Sequence, residues 1–166
     1  MDEADPLGTA HHEAAHAVVA YRASGAANSC SIVPNSDRES LGHAIDEQSD
    51  STNPNHIEAF VLSLYAGGHA QRELDSRTAF DGCGGDEADA AVWLERTGWK
   101  SREAELRERS LALVRQHWEE ICAVARELVQ HHHLDSTEVE IIADTVTGVH
   151  ERSDLEQYRR LRKGGA

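Results

Sequence analysis

Apolar residues recur at every third or fourth position through most of this chain, and this spacing is typical of amphipathic helices. The first predicted helix spans residues 9 to 24 and ends before Gly25, a residue that suits a helix C-terminus. The second follows an Asn/Pro start at residues 53 to 55, and its stripe ends in Gly68, a small residue that indicates close packing against another element. The stripes consist of Ala14, Val18 and Tyr21 in the first helix and of Ile57, Val61, Leu64 and Gly68 in the second.

Three more helices are predicted in the second half of the chain. One starts in the run DEADAAVWLER, residues 86 to 96, whose acidic first turn suits the positive end of the helix dipole. One long amphipathic helix is predicted over residues 101 to 130, and a last helix begins with Asp135 or Ser136 as its cap. Their apolar positions are Leu106, Leu113, His117, Ile121, Ala125 and Leu128 in the long helix and Val139, Ile142 and Val146 in the last.

Alternation typical of strands occurs in one region only. The β-prone residues 31 to 33 and 41 to 45 flank a polar turn, which predicts a small hairpin. The predicted fold is therefore mainly α with a small β-sheet, an α+β arrangement. Residues 1 to 150 are expected to form one domain. Residues 151 to 166 are basic, end in Gly-Gly-Ala and are expected to form a flexible tail.

The chain is strongly acidic, with 30 acidic and 16 basic residues and a formal net charge of −14. This balance disfavours nucleic acid and anionic membrane surfaces as partners, because both require a basic footprint. No apolar run approaches the roughly 20 residues that span a bilayer, and the acidic N-terminus does not resemble a signal peptide. Three widely spaced cysteines form no Cys-x-x-Cys pair, so a cytoplasmic setting is expected.

A His-Glu-x-x-His pattern lies in the first helix, within TAHHEAAHAVVA, residues 9 to 20. His12 and His16 are one turn apart on one helix face, so both imidazoles can bind one Zn²⁺. Glu13 is rotated from His12 by about 100° and suits a general base that takes a proton from the zinc-bound water. His11 has no histidine one turn further on. The alternative is a polar helix face with scattered histidines.

Burial of the helix favours the metal, and a third ligand is then needed. Residues 17 to 20 are apolar, which indicates a buried helix where unpaired imidazoles would be costly. The His-x-x-Gly-x-x-His continuation of one protease clan is absent, since Val19 and Arg22 occupy its places. The third ligand must come from elsewhere, and the Gly-rich loop at 79 to 85, which opens on Asp86, is a natural source.

Five blocks in sequence resemble the peptidase domain of the FtsH-type ATP-dependent zinc proteases. They are HEAAHAVVAY, CSIVPNSDRESLGHAI, LSLYAGGHAQREL, GCGGDEADAA and ELVQHHHLDSTEVEII, and the resemblance covers about residues 9 to 147. The family has His-Glu-x-Gly-His, a strand with Ile-x-Pro and Leu-Gly, a helix with Ala-Gly-Arg-x-Ala-Glu-Glu, an Asp after a Gly/Ser loop, and Leu-Asp before the last helix. The resemblance implies the helical zinc metallopeptidase fold of that family.

The resemblance also implies roles for single residues. His12 and His16 match the family's zinc histidines, and Glu13 matches its catalytic glutamate. The family's third ligand corresponds to Asp86 better than to Asp89. Counting from Asp86, the apolar helix positions fall on Ala90, Trp93 and Leu94.

A substrate-binding strand is implied as well, because the family's Leu-Gly strand lies at a sheet edge beside the metal. An extended polypeptide substrate would pair with it through main-chain hydrogen bonds. An edge strand that only covers the core is the alternative. The residues concerned are Leu41, Gly42, His43 and Ala44.

The chain departs from the family in several places. Ala15 replaces a Gly, and Gly68, Gln71 and Arg72 stand where the family has an Arg and a Glu-Glu pair. No Gly-x-x-x-x-Gly-Lys-Ser/Thr loop occurs, so an ATP-independent peptidase is expected, with a separate ATPase or unfoldase as a candidate partner. The initial Met favours a stand-alone protein over an excised fragment. Either a monomer or a small homo-oligomer fits.

The sequence thus predicts a zinc metalloendopeptidase that cuts unfolded or flexible polypeptides. Two alternatives stay open: a zinc-binding interaction module of the same fold that no longer cleaves, and a regulatory peptidase that cuts one specific repressor. Other histidines are not expected to bind a metal. The run at 131 to 133 is expected to be a solvated turn, and His69 is expected to pack or hydrogen-bond on its helix.

Overall fold

The computed structural model describes residues 6–33, 53–74 and 84–164, and most of these residues are helical. Within them, seven α-helices and a 3₁₀ turn at Lys100–Arg102 accompany two short strands. The predicted class, mainly α with a small sheet, is confirmed. The helices are α1 (Pro6–Ser24), α2 (Pro54–Leu74), α3 (Gly84–Thr97), α4 (Glu103–Gln116), α5 (Trp118–His131), α6 (Ser136–Val146) and α7 (Arg152–Gly164); the strands are β1 (Cys30–Ser31) and β2 (His133–Leu134).

Helix α1 is the centre of the core and packs most extensively against α2, with further contacts to α5 and α6. Its middle is buried on nearly every face, as expected for a helix without a polar side. The small alanine side chains let neighbouring helices approach closely from several directions. The buried apolar residues of α1 are Ala10, Ala14, Ala15, Ala17, Val18, Val19 and Ala20.

Helix α2 lies against α1 on one side and against α3 and α4 on another. The predicted stripe is correct, because Ile57, Val61 and Leu64 are all buried. The second half of α2 is also buried beyond that stripe, which indicates a helix enclosed by its neighbours. In the described ranges no helix has both the length and the apolarity needed to cross a membrane.

The prediction of a single long helix over residues 101 to 130 is wrong. After the 3₁₀ turn, two helices, α4 and α5, meet at His117, whose backbone is non-helical at φ −107° and ψ 23°. Hydrogen bonds of helical spacing still run through this point, from His117 N to Leu113 O at 2.9 Å and from Ile121 N to His117 O at 3.0 Å. Because apolar spacing is preserved across the break, periodicity could not reveal it.

Helix α6 begins as predicted. Asp135 is the N-cap, and it forms a capping box with Glu138 in which each side chain bonds the other's backbone N–H. Val139 and Ile142 are buried, as predicted, whereas Val146 is 43% exposed and does not belong to the buried face. It is the last residue of the helix, beyond the part that packs on α1 and α5.

The C-terminal segment differs from the flexible tail that was predicted. Residues Arg152–Gly164 form α7, which rests on α6 and buries Leu155. Arg159 bonds the buried carboxylates of Glu127 and Glu138 at 3.0 and 2.7 Å. The basic residues that indicated a tail are therefore partners for acidic residues on α5 and α6.

The sheet brings together two segments far apart in the chain. β1 pairs with β2 in antiparallel register, with Cys30 opposite Leu134 and Ser31 opposite His133. The sequence predicted that residues 31 to 33 would pair with 41 to 45, and this second segment lies outside the described residues. The sequence did not predict the pairing of β1 with β2, because about a hundred residues separate the two strands.

Candidate metal centre

Two imidazoles of α1 form one side of the candidate site. His12 and His16 occupy positions i and i+4, and both are 8% exposed. Their Nε2 atoms lie 2.9 Å apart, with the rings nearly perpendicular at 78°. The helix thus presents two nitrogen ligands side by side in a buried position.

The third group comes from the first turn of α3. Asp86 Oδ2 lies 3.0 Å from Nε2 of His12 and 3.4 Å from Nε2 of His16. Asp89, the alternative considered from the sequence, is not part of this cluster. The apolar anchors that favoured Asp86 are buried as expected, at Ala90, Trp93 and Leu94.

The three ligand atoms fit a divalent ion. Two ligands at the usual bond lengths of a tetrahedral zinc ion lie roughly 3.3 Å apart, and the three separations above fall close to this value. Within the described residues, His12, His16 and Asp86 form a group that could hold a metal ion. The donor set of two imidazoles and a carboxylate is one that zinc accepts.

Hydrogen bonding around His16 supports the same conclusion. Nδ1 of His16 donates to the backbone carbonyl of Ser63 at 2.6 Å, so a neutral ring carries its lone pair on Nε2. That lone pair faces Nε2 of His12 and the carboxylate of Asp86. The one N–H of a neutral His12 cannot serve both neighbours, whereas a cation would accept all three electron pairs.

The electrostatics of the cluster couple Asp86 to the histidines. Burial opposes ionisation of Asp86, but the hydrogen bond from His12 and the hydrogen bond and charge of a protonated His16 outweigh it and hold its pKa well below the usual range. Burial likewise lowers the pKa of His16, and the hydrogen bond and charge of Asp86 outweigh it, so the net shift is upward. Asp86 is therefore an anion at neutral pH, as a metal ligand must be.

Gly67 belongs to this site, although the sequence did not single it out. A Cβ atom on Gly67 would lie 2.6 Å from Cε1 of His12 and 2.6 Å from Nε2 of His16. Only a glycine lets α2 lie this close to both rings. The sequence pointed instead to its neighbour Gly68 as the close-packing position. The Gly-Gly pair was the available signal, but only the packing of α2 on α1 shows which glycine faces the rings.

Glu13 lies beside the three ligand groups and is not one of them. Its side chain is partly exposed, unlike those of the two histidines. Burial, and then the charge of Glu13, raise the pKa of the Cys30 thiol to about 12, which places this carboxylate toward β1. Glu13 also acts on His16 through its charge. An acidic group next to the ligands suits the general base that was predicted.

Among the described residues, the other histidines considered from the sequence are not part of this cluster. His11 points away from the cluster, as expected: its Nδ1 bonds Leu7 O at 2.8 Å and its ring stacks on Trp118. His69 is buried, as predicted, and among the described residues its Nε2 has no hydrogen-bond partner. The histidines at 131 to 133 are exposed. The predicted substrate strand, Leu41, Gly42, His43 and Ala44, lies outside the described residues.

No protein-family model matches this chain, and no curated protein matches it either.

Proposed function

We propose that this protein is a zinc-dependent endopeptidase with an FtsH-type peptidase fold, acting on unfolded or flexible polypeptides. One observation carries the proposal. A His-Glu-x-x-His helix, a carboxylate from a second helix and the glycine that accommodates both rings meet at one point of the structure. Two of these elements are separated by about seventy residues, so chance local composition does not account for the meeting.

The residues around the centre have distinct tasks. His12, His16 and Asp86 would hold zinc, which supplies polarisation of the substrate carbonyl and acidification of water. Ser63 O orients the ring of His16 through Nδ1. Glu13 accepts the proton of the water that attacks the scissile carbonyl, and it then delivers this proton to the departing amine nitrogen. The peptide C–N bond breaks, and an acid and an amine are released.

Substrate access follows from what this chain contains. The sequence lacks a nucleotide-binding loop that could drive unfolding, so folded proteins should resist cleavage unless a separate ATPase or unfoldase presents them. In this proposal, Leu41 to Ala44 pair with the substrate backbone. A cytoplasmic location and self-association into a small homo-oligomer belong to the same proposal.

The test is a conservative change at the proposed base. Glu13→Gln should keep zinc at the wild-type stoichiometry and lose cleavage of casein by about 10²- to 10⁴-fold, because only the proton acceptor is removed. Zinc content is measured by elemental analysis and cleavage by fluorescent casein. Glu95→Gln, at an exposed position of α3, serves as the control and should cleave normally. Undiminished cleavage by the Glu13 variant would refute the assignment.

The same assay separates the two alternatives. A wild-type protein that binds one zinc ion and cleaves no unfolded substrate is the interaction module. A protein that leaves casein intact and cuts one co-encoded protein at a single position is the regulatory peptidase. Both results would contradict a general endopeptidase.

A further inference from the structure

Asp86 has a charged neighbour that the proposed mechanism does not use. Glu87 follows it in the first turn of α3, and its Oε1 accepts a hydrogen bond from Nη1 of Arg107 on α4 at 3.1 Å. The proposed third ligand and an ion-paired residue are thus adjacent in one helical turn. Any force that holds Glu87 in place also limits where Asp86 can move.

The first turn of α3 has little apolar support of its own. Gly85 and Ala88 are exposed, and Asp86 and Glu87 are only partly buried. The apolar anchors of the helix begin one turn later, at Ala90. Among the described contacts, the bonds of Asp86 to the histidines and the pair between Glu87 and Arg107 are the side-chain links of this turn to other helices.

Arg107 is itself held in place. Its guanidinium lies over the ring of Tyr65 at 4.3 Å from the centroid, and Nη2 donates to Glu103 one turn earlier at 3.0 Å. A planar guanidinium held by a ring and a carboxylate has little freedom left to lose when it binds a second carboxylate. Arg107 therefore connects the first turn of α3 to both α4 and α2.

We propose that Arg107 is a positioning residue of the metal centre, which through Glu87 fixes the first turn of α3 and holds the Asp86 carboxylate against the imidazoles of His12 and His16. The inference rests on the proposed metal site. It adds a residue on α4 that touches none of the ligands.

The competing interpretation is an ordinary surface ion pair, which would contribute little to protein stability or to zinc affinity. The side chains of Arg107 and Glu87 are 34% and 42% exposed, so the effect should be moderate. We expect Arg107→Gln to weaken zinc binding by about three- to tenfold, at or below the range for groups that support metal ligands. A chelator competition titration resolves a change of this size.

A double-mutant cycle tests whether Arg107 acts through Glu87. Zinc dissociation constants are measured for Arg107→Gln, Glu87→Gln and the double variant. If the two residues act as one unit, the double variant should bind zinc no more weakly than the weaker single variant. Effects that multiply would mean that the residues act independently, and would overturn the proposal.

Arg109 provides a matched control on the same helix. Its Nη2 pairs with Glu58 of α2 at 2.7 Å and its Nη1 with Glu105 at 3.3 Å, so it shares the α4 surface and a link to α2 without reaching α3. Arg109→Gln should leave zinc affinity unchanged. An equal loss in both Arg variants would show a general loosening of α4 and contradict a positioning role.

A readout without metal separates this inference from the proposed function. In the zinc-free protein, Asp86 bonds Nε2 of His12, so the ¹⁵N shifts of the His12 and His16 rings report the position of the carboxylate. Arg107→Gln should shift these resonances and Arg109→Gln should not. If wild-type protein fails to bind zinc, the proposed function fails, and the ring shifts still decide the positioning role. Unchanged ring shifts in Arg107→Gln would refute it.

Discussion

At Gly67 the missing side chain is a requirement of the site. The rings of His12 and His16 fill the space that a Cβ would need, and both belong to a buried helix that cannot easily retreat. A buried helix pair has little free volume to absorb a displaced ring. Glycine is therefore required at position 67 because of the neighbouring helix α1, and not because of the backbone conformation of α2.

Gly67→Ala should abolish zinc binding or weaken it by at least about tenfold, because the added methyl group pushes both imidazoles out of their converging positions. Isothermal titration with zinc measures this. Gly85→Ala is the control, since among the described residues a Cβ there meets nothing within 4 Å, and it should bind zinc normally. Normal zinc affinity in Gly67→Ala would mean that His12 and His16 do not bind zinc in the ring positions that the structure shows.

Single residues also show how far sequence reasoning reaches. His12 and His16 could be paired from the sequence because their relation depends only on the period of one helix. Asp86 was expected from the order of motifs, and its approach to the rings appears only when α3 packs beside α2. Gly67 was missed because its neighbour fits the apolar stripe equally well.

At the scale of elements, α6 is defined by local chemistry. Asp135 Oδ1 accepts from Glu138 N at 2.9 Å, and Glu138 Oε2 accepts from Asp135 N at 3.1 Å. The other oxygen of Asp135 accepts from the hydroxyl of Tyr158 on α7 at 3.0 Å. The cap therefore starts α6 and also docks α7.

Asp135→Ala should lower the free energy of unfolding by about 1–2 kcal/mol, because the helix loses its cap and α7 loses a partner. Urea denaturation followed by circular dichroism measures the change. Asp135→Asn keeps a good N-cap and should cost less than half as much. Equal losses for both variants would show that charge, and not capping, is what matters at this position.

The elements that were predicted correctly differ from those that were not in how far apart in the sequence the residues that determine them lie. The cap of α6 could be read from a few adjacent residues. The break at His117 left the apolar spacing intact, and α7 forms on acidic partners contributed by α5 and α6. Val146 continues the period of α6, but none of the described elements buries it.

For the whole molecule, a buried ionic network ties helix α1 to its neighbours. Arg22, near the end of α1, bonds Glu120 of α5 at 2.7 Å and Asp144 of α6 at 2.9 Å. The hydroxyl of Tyr21 adds a bond to Asp144 at 2.9 Å. Both carboxylates are largely buried, so they depend on Arg22 for compensation.

Arg22→Met should destabilise the protein by about 2–3 kcal/mol, somewhat less than the loss of a fully buried partner because the arginine is partly exposed. Arg115→Met is the comparison: its pair with Glu73 is exposed, and its removal should cost at most about 0.5 kcal/mol. Urea unfolding of both variants, zinc-free, gives the two values. Similar small losses in both would mean that the network is not a stabilising connection between α1, α5 and α6.

By itself, the sequence determined the helical class, most of the helices and the two-histidine motif, because each depends on contacts within a few residues of one another. Tertiary structure decided which carboxylate and which glycine meet those histidines, how Cys30 pairs with Leu134, and where Arg107 lies. These relations join segments tens to a hundred residues apart, and they are set by how buried helix faces fit together, which no local period encodes.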